Sequence, residues 1–380
     1  MRILIIDNLA VASSRRHLYR LLSKHIKEPI HMLVPESWRE QGIITYCEEE
    51  KDYNLKIYES PFIFGYRHQR IVYLKLKKII FTVKPDIIFI NSEPENFNTF
   101  HLVRTVKKYF PNTKLACASW RNIDYRSNPY PYKFGWINHL IENYNKKRID
   151  ICIAHSPSAK LILEQIGNWK VVFISPALNL KDYLFQPKTL NESSNKFIIG
   201  YIGRLAQEKG VDILIRAISR LNVNAHGMIV GDGKEKENLK ILARNLKIEN
   251  RITWYDAVSY MEVPKLVRQF DILVLPSRNT KIWKEQFGRV LIEAMALGVP
   301  VIGSNSGDIP NVIGECGLIF KENDYEELAN SIKRLTDDSD LLKTLVNRGR
   351  EKIEKEYSLE MVSQQMIDIF HKLLIDKNKI

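Results

Sequence analysis

Short runs of consecutive apolar residues alternate along this chain with stretches in which apolar positions recur every third or fourth residue. The first kind suits strands buried on both faces, the second suits helices with one buried stripe. In the first half the runs fall at 2–7, 30–34, 55–58, 86–91, 114–119, 151–155 and 171–174. Helical periodicity fills the gaps at 14–25, 66–84, 97–109, 132–148 and 158–166. The second half repeats the scheme. Strands are predicted at 197–202, 227–230, 251–254, 272–275, 299–302 and 317–320, and helices at 211–221, 236–246, 263–269, 324–335, 339–355 and 359–375. A further helix carries Val290, Leu291, Ala294 and Met295 and is closed by Gly298 and Pro300. Strands alternating with helices at this spacing predict parallel, doubly wound sheets.

Residues 176–196 interrupt the rhythm with two prolines and a polar Asn-Glu-Ser-Ser-Asn-Lys run, which reads as a linker. The expected architecture is therefore α/β, with two tandem doubly wound domains, 1–180 and 181–358, and a final helical segment, 359–380. Ligands of open α/β sheets sit at the carboxyl ends of the strands, so two such domains imply an interdomain cleft.

Composition narrows the classes. A chain of 380 residues with 45% hydrophobic and 27% charged residues is that of an ordinary globular protein. No stretch approaches the roughly 20 apolar residues that span a bilayer. The N-terminus enters a strand pattern directly, without a leader pattern, so a cytoplasmic protein is expected. The four cysteines, Cys47, Cys117, Cys152 and Cys316, are scattered singly and read as buried thiols. Residues 1–180 hold 27 Lys and Arg against 16 Asp and Glu, whereas residues 181–380 hold 30 against 28. The net charge of +13 therefore belongs to the first half, which suits an acidic partner as well as it suits a solvated basic surface.

Three stretches carry candidate chemistry. In Gly203-Arg204-Leu205-Ala206-Gln207-Glu208-Lys209-Gly210, Arg204 follows a strand and Lys209 precedes a helix, so both suit an anion at that helix start. Gly231-Asp232-Gly233 follows the next strand and permits close approach of a ligand to backbone, or forms a plain turn. The third stretch is 271–310. There Glu285 precedes a helix, Phe287-Gly288 opens it, and Glu293 sits within an otherwise apolar face. A carboxylate in such a face requires a partner, and a hydroxyl-rich ligand supplies one.

GRLAQEKG, GDG and EQFGRVLIEAMALGVPVIGSNSG together resemble the retaining GT-B glycosyltransferases of the large family-four group, glycosyl transferases group 1. The likeness is strong over about residues 197–320. It implies two Rossmann-like domains, a last helix in 359–380 that crosses back to the first domain, and a nucleotide-diphosphate sugar, UDP- or GDP-linked, as donor, with no metal and no further cofactor. By resemblance, Arg204 and Lys209 bind the diphosphate and, with Glu285 on the sugar hydroxyls, form the catalytic group. Glu293 takes the ribose, and the N–H groups of Phe287, Gly288, Arg289 and Val290 hold phosphate or sugar oxygens. Gly203 and Gly231 line the donor, and 256–258, including Val258, lies near the base. The first half departs from the family. Ser13 and Ser14 stand where many members have a Gly-Gly loop, and Trp120, Arg121 and Asn122 where many have a His. These residues, with His155 at a strand end, are the candidates for the acceptor or sugar side. Trp120 suits stacking on a sugar, and Arg121 or Asn122 suits an oxygen.

The resemblance implies transfer to a glycan or lipid-linked acceptor in surface polysaccharide or glycolipid synthesis. The basic helix expected at 66–84, with Tyr130, Tyr132, Trp136, Lys146, Lys147 and Arg148, reads either as a core helix with a solvated basic face or as a surface for an anionic membrane, the second implying a peripheral position on its inner face. The competing readings are a same-fold epimerase or phosphorylase, and a non-catalytic nucleotide- or nucleic-acid-binding protein. No helix-turn-helix or aromatic single-strand motif supports nucleic acid.

Overall fold

A computed structural model describes residues 1–40, 43–124, 135–187, 196–222 and 224–375. The chain divides into two units, Met1–Ala177 with Leu359–Ile380, and Leu178–Ser358.

The first unit is built on a seven-stranded parallel sheet. Its strands are β1 (Ile3–Ile6), β2 (Ile30–Pro35), β5 (Leu55–Ser60), β8 (Ile87–Ile90), β9 (Lys114–Ser119), β10 (Ile151–Ala154) and β11 (Val171–Phe173), ordered β11-β10-β9-β8-β1-β2-β5. The short antiparallel pairs β3 (Ser37–Glu40) with β4 (Ile43–Tyr46), and β6 (Phe62–Ile63) with β7 (Val72–Tyr73), supply the remaining numbers. The central strands are wholly buried, as parallel strands covered by helices on both faces must be. Around them lie α1 (His17–Lys24), α2 (Leu76–Val83), α3 (Phe97–Tyr109), α4 (Gly135–Lys146) and α5 (Pro157–Ile166). The last helix, α13 (Leu359–Ile375), inserts Val362, Met366, Ile367 and Phe370 into the same core.

The second unit holds β12 (Phe197–Ile202), β13 (Ala225–Val230), β14 (Ile252–Tyr255), β15 (Ile272–Leu275), β16 (Val301–Ser304) and β17 (Gly317–Phe320). They form a parallel sheet ordered β14-β13-β12-β15-β16-β17. Its helices are α6 (Val211–Ser219), α7 (Lys236–Asn245), α8 (Val263–Val267), α9 (Arg289–Leu297), α10 (Ile309–Ile313), α11 (Tyr325–Asp337) and α12 (Ser339–Lys352). Sheet order reverses direction at β12 and β15, and α9 follows β15 at this switch. That position is where doubly wound sheets take ligands.

Two expectations are corrected. The stretch 66–84 is not one helix, because Val72–Tyr73 pairs with Phe62–Ile63 and only Leu76–Val83 is helical. Ile71 and Tyr73 fill the core from outside the helix, and Lys84 ends the helix in a left-handed conformation before Pro85. The start of the expected linker is laid on the second unit rather than free. The Gln186 N–H donates to Leu297 O at 3.2 Å, and the Arg268 guanidinium donates to Leu184 O at 3.0 Å. The rest of that stretch, and Tyr130 and Tyr132, lie outside the described residues.

Candidate functional site

The carboxyl ends of β12 and β15 bring Lys209 and Glu285 together. Lys209 closes a single 3-10 turn, Gln207–Lys209, ahead of α6. Glu285 stands in the loop between β15 and α9. The Lys209 ammonium donates to Glu285 Oε2 at 2.6 Å, and the Ser277 hydroxyl donates to the same oxygen at 2.7 Å. The two side chains are 17% and 9% exposed, so the pair is shielded yet reachable. The Trp283 ring lies 4.7 Å from the Lys209 ammonium. Arg204 is different. It is 61% exposed and held by Glu208 at 2.7 Å, a surface pair of small energy that a stronger anion can displace.

Backbone geometry next to this pair explains the glycines. Gly231 has φ +148°, and a Cβ there would stand 1.9 Å from Gly203 O. The turns after β12 and β13 therefore touch through bare backbone. Gly288, with φ +77°, turns the chain into α9, and a Cβ there would press 2.7 Å from Leu275 Cδ2. This turn carries Phe287, which is buried against Tyr357, to the helix start at Arg289 and Val290.

Glu293 is buried, as its apolar surroundings predict, and its partner is one turn away: Arg289 Nε donates to Glu293 Oε1 at 3.1 Å. Burial raises the Glu293 carboxyl above its ordinary value, and Arg289 opposes that rise. Arg289 in turn stacks 4.8 Å over the Tyr260 ring and donates to its hydroxyl at 2.6 Å. The Tyr183 hydroxyl donates to Tyr260 at 2.9 Å. Val258, half-buried, precedes this cluster, while neighbouring Asp256 is exposed and pairs with Lys236.

The first unit gathers its own polar cluster at the carboxyl ends of β1, β8, β9 and β10. Asp7 accepts the Tyr19 hydroxyl at 2.7 Å, the Asn91 amide at 2.9 Å and the Leu9 N–H at 2.9 Å. The Glu93 carboxylate accepts the Ser119 hydroxyl at 2.7 Å and the Trp120 N–H at 2.6 Å. Burial and the neighbouring Glu95 push Glu93 up to about 7. The Trp120 ring packs, tilted by 34°, at 4.8 Å from His155, whose Nδ1 donates to Ile174 O at 2.9 Å. Burial lowers the His155 imidazole to about 4, so it is neutral at physiological pH.

Arg121 does not stand open to a ligand oxygen. Its guanidinium is buried between Glu95 and Glu142, with Glu142 at 2.9 Å, and it ties α4 to the loops after β8 and β9. Asn122 is half-buried beside it. Ser13 is also engaged, its N–H donating to Glu48 at 2.6 Å and its hydroxyl accepting from Arg20. Ser14 is exposed.

Sequence reasoning missed Ser277, Trp283, Tyr260 and Tyr183. Trp283 was signalled by its place as an aromatic residue within a polar run, two positions before Glu285. Nothing local marked Tyr183, which reaches Tyr260 only through the fold. The one Asp-x-Asp triplet, Asp338-Ser339-Asp340, is a helix start: Asp338 accepts the Leu341 N–H at 2.8 Å. Among the described residues no group of three or more His, Cys, Asp or Glu could hold a metal ion, and no helix is long and apolar enough to cross a membrane.

Residues 182–352 match the family described as glycosyl transferases group 1. The chain is 30% identical over 202 residues to the capsular polysaccharide biosynthesis glycosyltransferase CapM of Staphylococcus aureus, covering 49% of this chain and 48% of that one. It is 31% identical over 188 residues to the N-acetyl-alpha-D-glucosaminyl L-malate synthase of Bacillus anthracis, covering 48% of each. The chain thus spans about half the length of these curated relatives. Similarity of fold extends further. Sucrose-phosphate synthase from Thermosynechococcus elongatus superposes with a TM-score of 0.75 at 19% identity, over 99% of this chain and 100% of that one. Anabaena HepE, solved in complex with UDP, gives 0.71 at 18% identity, over 98% and 100%. The fold is therefore GT-B, an α/β architecture of two Rossmann-like domains.

Proposed function

We propose that this chain is a retaining glycosyltransferase, because residues 182–352 match the family described as glycosyl transferases group 1. It moves a sugar from a nucleotide-diphosphate donor, UDP- or GDP-linked, to a glycan or lipid-linked acceptor of surface polysaccharide or glycolipid synthesis. The observation that carries the reading is the Lys209–Glu285 pair beside the start of α9. A shielded ammonium, paired with a carboxylate four positions ahead of a helix start, suits the charge that develops on a departing diphosphate, with no metal needed. In this reading Arg204 gives up Glu208 for phosphate, and Glu285 accepts sugar hydroxyls. Glu293 takes the ribose with Arg289 as its counterion, and Val258 and Tyr260 flank the base. The C1 centre passes through an oxocarbenium-like state, and the acceptor attacks from the face the diphosphate leaves. The first unit supplies the acceptor side, where the Trp120 and His155 rings pack together and Glu93 holds the Trp120 N–H.

Incubation of purified protein with UDP- and GDP-hexoses tests this, read as slow release of nucleoside diphosphate. Release from at least one donor is expected. No release from any donor would remove the enzyme reading and favour a non-catalytic nucleotide-binding protein.

The peripheral membrane position, on the inner face, rests on a separate observation. Neither 61–85 nor 97–123 contains an Asp or Glu. The outer faces of α2 and α3 expose Lys77, Lys78, Arg104 and Lys108 with Phe81 and Tyr109. Such a face suits anionic lipid. Flotation with vesicles containing phosphatidylglycerol, lost with purely zwitterionic vesicles, is the expected outcome. Equal behaviour with both vesicle types would contradict it.

A further inference from the structure

The loop between β15 and α9 carries Trp283, and three ties fix that loop. The Arg278 N–H donates to Glu208 O at 2.8 Å, the Arg278 guanidinium pairs with Asp212, and the Asn279 amide donates to Glu322 at 3.2 Å. Thr280 N–H closes a turn onto Trp283 O at 2.8 Å. The half-buried indole is thereby held with its ring 4.7 Å from the Lys209 ammonium.

Lys209 thus has two partners of opposite consequence. Glu285 neutralises the ammonium, and a neutral pair attracts an anion weakly. The indole face attracts the same ammonium through its quadrupole and leaves the full positive charge in place. It also restricts a long side chain that otherwise loses rotamer freedom on binding. When an anion draws Lys209 from Glu285, the indole is the contact that still keeps the ammonium in the site.

We propose that Trp283 is a positioning residue for anionic-ligand binding, acting through Lys209 to keep its charge presented to a nucleoside diphosphate. This rests on the donor-site reading given above.

The test is calorimetric titration with UDP and with GDP of the full chain and of W283L, W283F, K209M and K209M/W283L. Thermal melts establish that each variant is folded. Trp283→Leu is expected to weaken binding of the nucleotide that wild type takes by about 3- to 10-fold, the range of a partly exposed cation–π contact. Trp283→Phe, which keeps a ring, is expected to recover more than half of that loss on a logarithmic scale. With Lys209→Met already present, Trp283→Leu is expected to change affinity by less than about twofold, because the contact it removes is gone. Two outcomes overturn the proposal: wild-type affinity in W283L, or an equal loss from W283L with and without Lys209. If Lys209→Met leaves binding unchanged, or wild type binds neither nucleotide, the donor-site reading itself fails and the proposal with it. Should W283L melt early, the comparison of W283F with K209M/W283F replaces it, and an equal loss in both backgrounds overturns the proposal in the same way.

Discussion

Removal of the Lys209 ammonium separates what this residue does for the fold from what it does for the reaction. In the resting structure it sits 2.6 Å from Glu285 Oε2, and both side chains are largely shielded from water. Lys209→Ala leaves Glu285 with Ser277 as its remaining side-chain donor at 2.7 Å. A charge-assisted hydrogen bond of this kind is worth about 1.5–3 kcal/mol, so the variant is expected to lose stability of that order. Adding Glu285→Gln removes the uncompensated charge and is expected to restore most of that stability. Activity should behave in the opposite way. One donor aimed at developing charge contributes on the order of 100- to 1,000-fold in turnover, and the double variant lacks both the cation and the carboxylate. The assays are urea denaturation for stability and release of nucleoside diphosphate from a UDP- or GDP-hexose for activity. The reasoning is refuted if Lys209→Ala keeps turnover within about threefold of wild type, or if the double variant regains activity along with stability.

Three further outcomes follow from other residues. The Glu93 carboxyl rises from 4.5 to about 7 through burial and Glu95. Between those values the folded state binds more protons than the unfolded one, so stability is lost as pH rises through the window. His155, lowered from 6.5 to about 4, acts in the opposite sense from pH 4 to 6.5. Glu93→Gln is therefore expected to gain in urea midpoint relative to wild type between pH 5 and 7.5; a constant difference would contradict this. Gly231→Ala places a Cβ against Gly203 O and is expected to cost about 1–3 kcal/mol in urea denaturation and to weaken nucleotide binding. An unchanged midpoint would show that the two turns are free to separate. Substituting Lys77, Lys78, Arg104 and Lys108 together by Gln is expected to abolish flotation with anionic vesicles while nucleoside diphosphate release continues.

Much of this was readable from the chain because buried parallel strands announce themselves. Ile3–Ile6, Ile87–Ile90 and Ile272–Leu275 are apolar runs with no polar alternative, and α3 falls where its periodicity puts it. The 66–84 stretch misled because Tyr73, Leu76 and Ile80 match helical spacing, although Tyr73 reaches the core from a strand. Tertiary pairing with Phe62–Ile63 overrode the local pattern. At the site, Glu293 in an apolar helix face told of a buried carboxylate, and Arg289 is its neighbour one turn earlier, but Tyr260, which holds Arg289, lies 29 residues away in the chain. Arg121 looked available because Trp120-Arg121-Asn122 ends a strand. The carboxylates that bury it, Glu95 and Glu142, come from elements that no local pattern connects to it.

The central claim is that Lys209 and Glu285 form the working end of a nucleotide-sugar site. The most direct measurement is nucleoside diphosphate release from a panel of UDP- and GDP-hexoses by wild type, Lys209→Ala and Glu285→Gln, run side by side. The account predicts release by wild type from at least one donor, and a loss of about 100-fold or more in Lys209→Ala. Release that is absent in wild type, or equal in wild type and both variants, would contradict it.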